Sequence, residues 1–318
     1  MALCLSPDGR RIISSSMHGP FRFWDPDTQK VVNEVAKPQN IPVAGLSLSP
    51  DGSLAVIQGW GDLHLLDSRT WSSVREISEP FIGRKRYGLS RPQFTPDGRF
   101  LLLQSDKPEL LIYDTKNWKQ LQSLPGLPRD AISYFPAPGI DRAIYLSKSG
   151  VLNLWDSGQR HEVAKLDENV RLHQVAFSPD ESLVAVATGH KVSGDYWGAY
   201  RIRIWSADAG ELEHELRPFE QSTCESVEGI LWWPDGKYLL AATKAHTFFT
   251  SLGVGVWSLK SGRNRGEFIG CPTNLTGLAL LDDGRRLVAG CGDGRIRVWD
   301  AASGIKQVYE FERSLAER

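Results

Sequence analysis

Ser6-Pro7-Asp8-Gly9 is repeated along this chain as Ser49-Pro50-Asp51-Gly52, Thr95-Pro96-Asp97-Gly98, Ser178-Pro179-Asp180 and Trp233-Pro234-Asp235-Gly236, each copy flanked by apolar residues in alternation. Proline presets φ at the second position of a tight turn, aspartate bonds back to its own backbone, and glycine takes the positive φ that returns the chain antiparallel. Each copy therefore reads as a hairpin between two strands, a and b. Two weaker copies, Phe135-Pro136-Ala137-Pro138-Gly139 and Leu281-Asp282-Asp283-Gly284, complete a series of seven. With anchors at 7, 50, 96, 136, 179, 234 and 282, the spacings are 43, 46, 40, 43, 55 and 48 residues. A unit copied at a near-constant period implies stacking, because one unit alone cannot bury its apolar faces.

A second landmark follows every anchor: Trp24-Asp25, Leu66-Asp67, Tyr113-Asp114, Trp155-Asp156, Trp205-Ser206, Trp257-Ser258 and Trp299-Asp300. Between landmarks the apolar residues keep period two, as where Ile296 and Val298 alternate with Arg295 and Arg297, which is how a half-buried strand reads. The landmark is expected to end strand c, with its Asp or Ser opening a turn into strand d. No window has the periodicity of an amphipathic helix. Four antiparallel strands every 40 to 45 residues predict an all-β fold, a seven-bladed β-propeller of four-stranded antiparallel blades. The blades fall at residues 1–40, 41–88, 89–130, 131–171, 172–226, 227–273 and 274–318 of one propeller domain.

On these residues the chain resembles the WD40-repeat proteins over essentially its whole length, and its best copy is Asp293-Gly294-Arg295-Ile296-Arg297-Val298-Trp299-Asp300. The family pattern adds a Gly-His pair before strand a and a turn aspartate between strands b and c, bonded in a network with the strand c tryptophan. Here only Asp293 occupies that aspartate position, and no copy has the Gly-His pair. The repeats are degenerate, so the network is expected to be mostly absent. The resemblance implies assembly, regulation or sensing within a larger complex.

Composition fits a globular chain: 41% hydrophobic and 24% charged, with a net charge of −1. Near-neutrality argues against nucleic acid as the partner. The sequence has no run of 18 apolar residues and no signal peptide, so no membrane contact is expected. Cys4, Cys224, Cys271 and Cys291 show no paired spacing. Metal binding and a disulfide framework are both disfavoured, Cys4 and Cys291 read as buried thiols, and the chain reads as cytoplasmic. Because the first strand already begins at Ala2, the last blade is expected to supply its own outer strand from Lys306 to Phe311. The ring then closes by face packing alone, which makes the junction of the first and last blades its weakest seam. The same abrupt start is compatible with a sensor module belonging to a longer signalling protein.

Repeat lengths carry the functional expectation. From anchor to landmark the chain takes 17, 16, 17, 19, 26, 23 and 17 residues, and from landmark to next anchor 26, 30, 23, 24, 29 and 25. The excess falls in b-to-c connections of blades five and six and d-to-a connections after blades two and five. In a meander these emerge on the same face, and loops on a rigid scaffold carry binding residues disproportionately. The blade five insertion, Gly189 to Tyr200, offers Tyr196, Trp197 and Tyr200, and the blade six connection offers His246, Phe248 and Phe249. Large rigid aromatics dominate interface hot spots, although long loops also bury their own side chains. A basic patch with Arg84, Arg86 and Tyr87 lies in the connection into blade three. These nine residues are the expected partner-binding set.

No histidine pair has metal-ligand spacing, and no serine-elbow, nucleotide-loop or dinucleotide motif occurs. The reading is a non-catalytic scaffold that needs no cofactor and binds a protein or peptide partner. The alternative is a propeller hydrolase or lyase, with carboxylates and histidines gathered at the channel mouth.

Overall fold

The structure is a computed structural model. It describes residues 2–6, 10–15, 19–37, 43, 45–59, 62–78, 92–104, 110–121, 128–138, 142–193, 196–216, 224–245, 252–271, 275–281, 284–291, 293–300 and 308–311. Blade one comprises β1 (Ala2–Leu5), β2 (Ile12–Ser15), β3 (Phe21–Asp25) and β4 (Lys30–Val35). Blade two comprises β5 (Gly45–Leu48), β6 (Leu54–Gln58), β7 (Asp62–Asp67) and β8 (Ser73–Ser78). Blade three has β9 (Gln93–Phe94), β10 (Phe100–Gln104), β11 (Leu110–Asp114) and β12 (Gln120–Leu121). In blade four these are β13 (Ala131–Pro136), β14 (Arg142–Ser147), β15 (Val151–Asp156) and β16 (His161–Glu168). Blade five is built from β17 (Val170–Phe177), β18 (Leu183–Ser193), β19 (Tyr196–Ser206) and β20 (Leu212–Leu216). Next come β21 (Cys224–Trp232), β22 (Tyr238–Ala245), β23 (Leu252–Ser258) and β24 (Arg263–Cys271) in blade six. Blade seven ends the series with β25 (Leu275–Leu281), β26 (Arg286–Cys291), β27 (Ile296–Asp300) and β28 (Val308–Phe311). Each group of four is one antiparallel sheet in sequence order, and the described residues contain no α-helix.

Strand a is innermost, since the first strands of neighbouring blades touch one another: β1 meets both β25 and β5, β17 meets β21, and β21 meets β25. Seven apolar clusters fill the seven interfaces between successive blades, including Leu3, Ile12 and Trp24 of blade one against Leu281, Val288 and Val298 of blade seven. The ring therefore closes through side chains, and β28 pairs with β27 within its own blade, as the sequence leads one to expect. Gly277 lets the two blades pack closely at this seam, where an added Cβ would lie 2.9 Å from Cβ of Leu3. Arg286 crosses it to the Pro26 carbonyl at 2.9 Å and to Asp27 at 2.8 Å.

The landmarks now have a physical reason. Each strand c ends on the Asp or Ser of its landmark, and the apolar residue before it packs against the preceding blade, as Trp205 does against blade four and Trp299 against blade six. The polar residue opens a five-residue turn: the amide of Gln29 bonds the Asp25 carbonyl, that of Trp71 the Asp67 carbonyl, and that of Trp118 the Asp114 carbonyl. In the six described turns the fifth residue is left-handed, at Gln29, Trp71, Trp118 and Arg160, and at Gly210 and Gly262 in blades five and six. In the a-to-b turns the aspartate does more than expected. Asp51 accepts from the Ser49 hydroxyl at 2.5 Å and the Ser53 amide at 3.0 Å, tying both sides of the turn together.

The degeneracy of the repeats is visible in the bonding. Asp293 spends its carboxylate on Arg297, at 3.1 and 2.8 Å, and on the Arg295 amide. In blade one the landmark tryptophan bonds to strand b instead, Trp24 Nε1 donating to Ser14 Oγ at 2.8 Å. Two corrections concern cysteine: Cys4 is half-buried rather than buried and is not disulfide-bonded, whereas the fully buried Cys291 is disulfide-bonded. A disulfide depends on close Cα atoms rather than on short sequence spacing.

Candidate functional site

The blade five b-to-c connection is a β-ribbon rather than a loop. Strands β18 and β19 are 11 residues each, against 4 to 6 in the b and c strands of blades one to four. Beyond the blade the pairing continues as His190 with Gly198, Lys191 with Trp197 and Ser193 with Tyr196. Register shifts between Thr188 and His190 and between Lys191 and Ser193 explain why its residues do not alternate cleanly in sequence. Such bulges bend a ribbon and re-aim its side chains.

Charge and ring packing fix the base of this ribbon. Arg203 of β19 pairs with Asp167 of β16 at 2.5 Å and with Glu215 of β20 at 3.0 Å, while Arg201 reaches Glu215 at 3.5 Å. His190 Nε2 lies 3.5 Å from the same Asp167 carboxylate. Burial pushes the His190 pKa down, ahead of the opposing pull of Asp167. On the other side of the sheet the His173 ring meets Tyr200 edge-on, centroids 5.0 Å apart. Gly189 permits this contact, since a Cβ there would lie 2.8 Å from the Tyr200 ring. Burial, followed by the nearby Arg171 charge, lowers His173 to about 4, so its imidazole is neutral at pH 7.

Of the nine expected partner-binding residues, Tyr200 is partly buried in this base. Tyr196 and Trp197 stand in β19, and their side chains lie outside the described residues. His246, Phe248 and Phe249 follow directly on β22, and Arg84, Arg86 and Tyr87 precede β9; all six lie outside the described residues. The structure therefore relates the ribbon to the end of β22 through their blades and leaves the nine residues' grouping open to experiment.

At the opposite end of the axis lies a feature that the length comparison overlooks. A cavity of about 460 Å³ opens among the a-strand ends and turn prolines of blades two to five, lined by Pro50, Pro96, Pro136, Phe94, Phe135 and Phe177 with Ser47 and Gln93 among the polar groups. Among the described residues its lining carries no carboxylate or imidazole. The repeated turn proline was the available signal, since Pro50, Pro96 and Pro136 line the same cavity.

The comparisons with known proteins agree with this geometry. A family model described as "WD domain, G-beta repeat" matches residues 262–300, the last blade's best copy included. The chain is a seven-bladed β-propeller whose last repeat matches the WD40 family model. Human Coronin-7 is 27% identical to it over 172 residues, 49% of this chain and 17% of Coronin-7. Human angio-associated migratory cell protein is 33% identical over 129 residues, 40% of this chain and 24% of that protein. The matches thus span a quarter or less of these relatives' own length. Among solved structures, the β-propeller domain of Myceliophteria thermophila Cps50 (Swd1) superposes with a TM-score of 0.69 at 16% identity, over 95% of this chain and 96% of that one, and shows the shared fold.

Proposed function

We propose that this WD40 propeller is a non-catalytic docking disc that binds a protein or peptide on the face where the b-to-c and d-to-a connections emerge. The observation that supports this reading is the blade five ribbon, a paired extension whose base is anchored by Arg203 between Asp167 and Glu215. An anchored ribbon loses little ordering entropy on binding, which is how a preorganised surface gains affinity. The similarity to WD-repeat proteins supports the same class of role. Disulfides persist in oxidising compartments, so the cytoplasmic placement is not carried into this proposal.

The test is a double substitution, Tyr196→Ala with Trp197→Ala, in the intact protein. Partner capture is expected to fall by roughly tenfold or more, as for a lost aromatic hot spot, while the thermal midpoint stays put. Capture unchanged in the double variant refutes this face; loss of capture together with an equal loss of stability makes the pair packing residues instead.

A further inference from the structure

Blade two carries a cluster unrelated to the ribbon. Asp62 and His64 are two residues apart on β7, hence on one side of the sheet, and Glu76 of β8 lies directly opposite His64 in register. One ligand atom from each of the three lies within 4.8 Å of the others. Asp62 Oδ2 is 3.2 Å from His64 Nε2, and Glu76 Oε2 is 4.0 Å from Nδ1.

The imidazole is the informative group. Its side chain is only 5% exposed, on the side of the sheet where Ile57 and Leu66 join the core against blade one. Yet Nε2 has no hydrogen-bond partner, the Asp62 contact being misaligned for one. A buried polar nitrogen left unpaired costs free energy, and here it faces the Asp62 carboxylate, while Glu76 stands beside Nδ1 of the same ring. Neither carboxylate is paired with a lysine or arginine among the described residues, and Arg75 belongs to the opposite side of the sheet, across from Leu65.

We propose that Asp62, His64 and Glu76 bind one divalent first-row metal ion. Ligand bonds of about 2.0–2.2 Å put two ligands of one ion roughly 3 to 4 Å apart, a separation Asp62 and His64 already have. Glu76, whose side chain is 48% exposed, closes the remaining gap by rotation. Two carboxylates balance the charge of the dication, and the open side of the site supplies water ligands and an entry path. Gly59 positions Asp62, because a Cβ at Gly59 would lie 2.0 Å from its Oδ1. Register across strands brings the three ligands together.

Mn²⁺ uptake by the intact protein, followed by loss of the free-ion paramagnetic resonance signal, tests the site without competition from thiols, which favour softer metals. Wild type is expected to take up a single equivalent that Zn²⁺ displaces. Asp62→Asn and His64→Gln are each expected to weaken uptake by about tenfold or more, with circular dichroism reporting whether the variant is folded. Should His64→Gln fail to fold, the half-exposed Asp62→Asn decides. Absence of uptake at millimolar Mn²⁺, or uptake equally tight in folded variants, overturns the proposal.

Discussion

Position five of each c-to-d turn sets two effects against each other. Gln29 and Trp71 share the same left-handed backbone, at φ of 57° and 58°, which costs an L-residue about 1–2 kcal/mol and glycine nothing. Gln29→Gly is therefore expected to stabilise the fold by a few tenths to about 1 kcal/mol. Trp71 is 4% exposed and packs on Phe21 and Phe23, ring centroids 4.7 and 5.1 Å away. Trp71→Gly should instead lose about 3–5 kcal/mol, because the cavity outweighs the strain relieved. Urea unfolding of the two variants checks both signs. At the same scale, acid should act in two stages. His173, lowered from 6.5 to about 4, favours the fold above pH 6.5 and loses that contribution as pH falls to about 4, at up to about 1.4 kcal/mol per pH unit. Asp25, held at about 2 chiefly by the Thr28 amide and then by Arg11, keeps its contribution above its unfolded value and loses it only as pH drops towards 2. In a pH series of thermal midpoints, His173→Gln should flatten the first stage and leave the second.

Among the elements, the ribbon of blade five owes its rigidity to charges that arrive from two other strands. Asp167 and Arg203 have side chains only 11% and 16% exposed, so breaking their pair costs more than a surface ion pair. Asp167→Asn is expected to destabilise by about 1–2 kcal/mol and to speed amide exchange in β18 and β19 ahead of β14 and β15. Exchange that rises equally in both blades would separate the pair from the ribbon. The same element shows where sequence reading succeeds and stops. The length excess between Pro179 and Trp205 marks an insertion correctly, because length survives any fold. Its pairing stays hidden, since two bulges and Gly189 and Gly198 break the period-two alternation on which a strand is recognised. Asp62, His64 and Glu76 were missed for a related reason. Asp62 and His64 share a face by strand geometry alone, but Glu76 joins them only through the β7–β8 register, which no spacing within the sequence encodes.

For the whole molecule, the seven turns and seven landmarks are legible because each is a local solution to the same problem, a short reversal or a residue buried against the preceding blade. Ring closure is not local, and it can be probed with a matched pair of glycines. Gly277 and Gly229 both follow a bulge in strand a. An added Cβ at Gly277 meets Leu3 at 2.9 Å, whereas at Gly229 its nearest neighbour is Leu278 at 3.8 Å, an ordinary contact. Gly277→Ala is expected to cost about 1–3 kcal/mol by forcing two blades apart, with proteolytic nicking starting beside β1 and β25, while Gly229→Ala stays near wild type. Equal stabilities of the two variants would show that the seam has room to spare. A ring made of consecutive sheets also has a consequence for synthesis. Every sheet is finished as soon as its fourth strand leaves the ribosome, but Leu3 waits for Gly277 before its strand has a neighbour on both sides, so the first blade spends translation with one apolar flank uncovered.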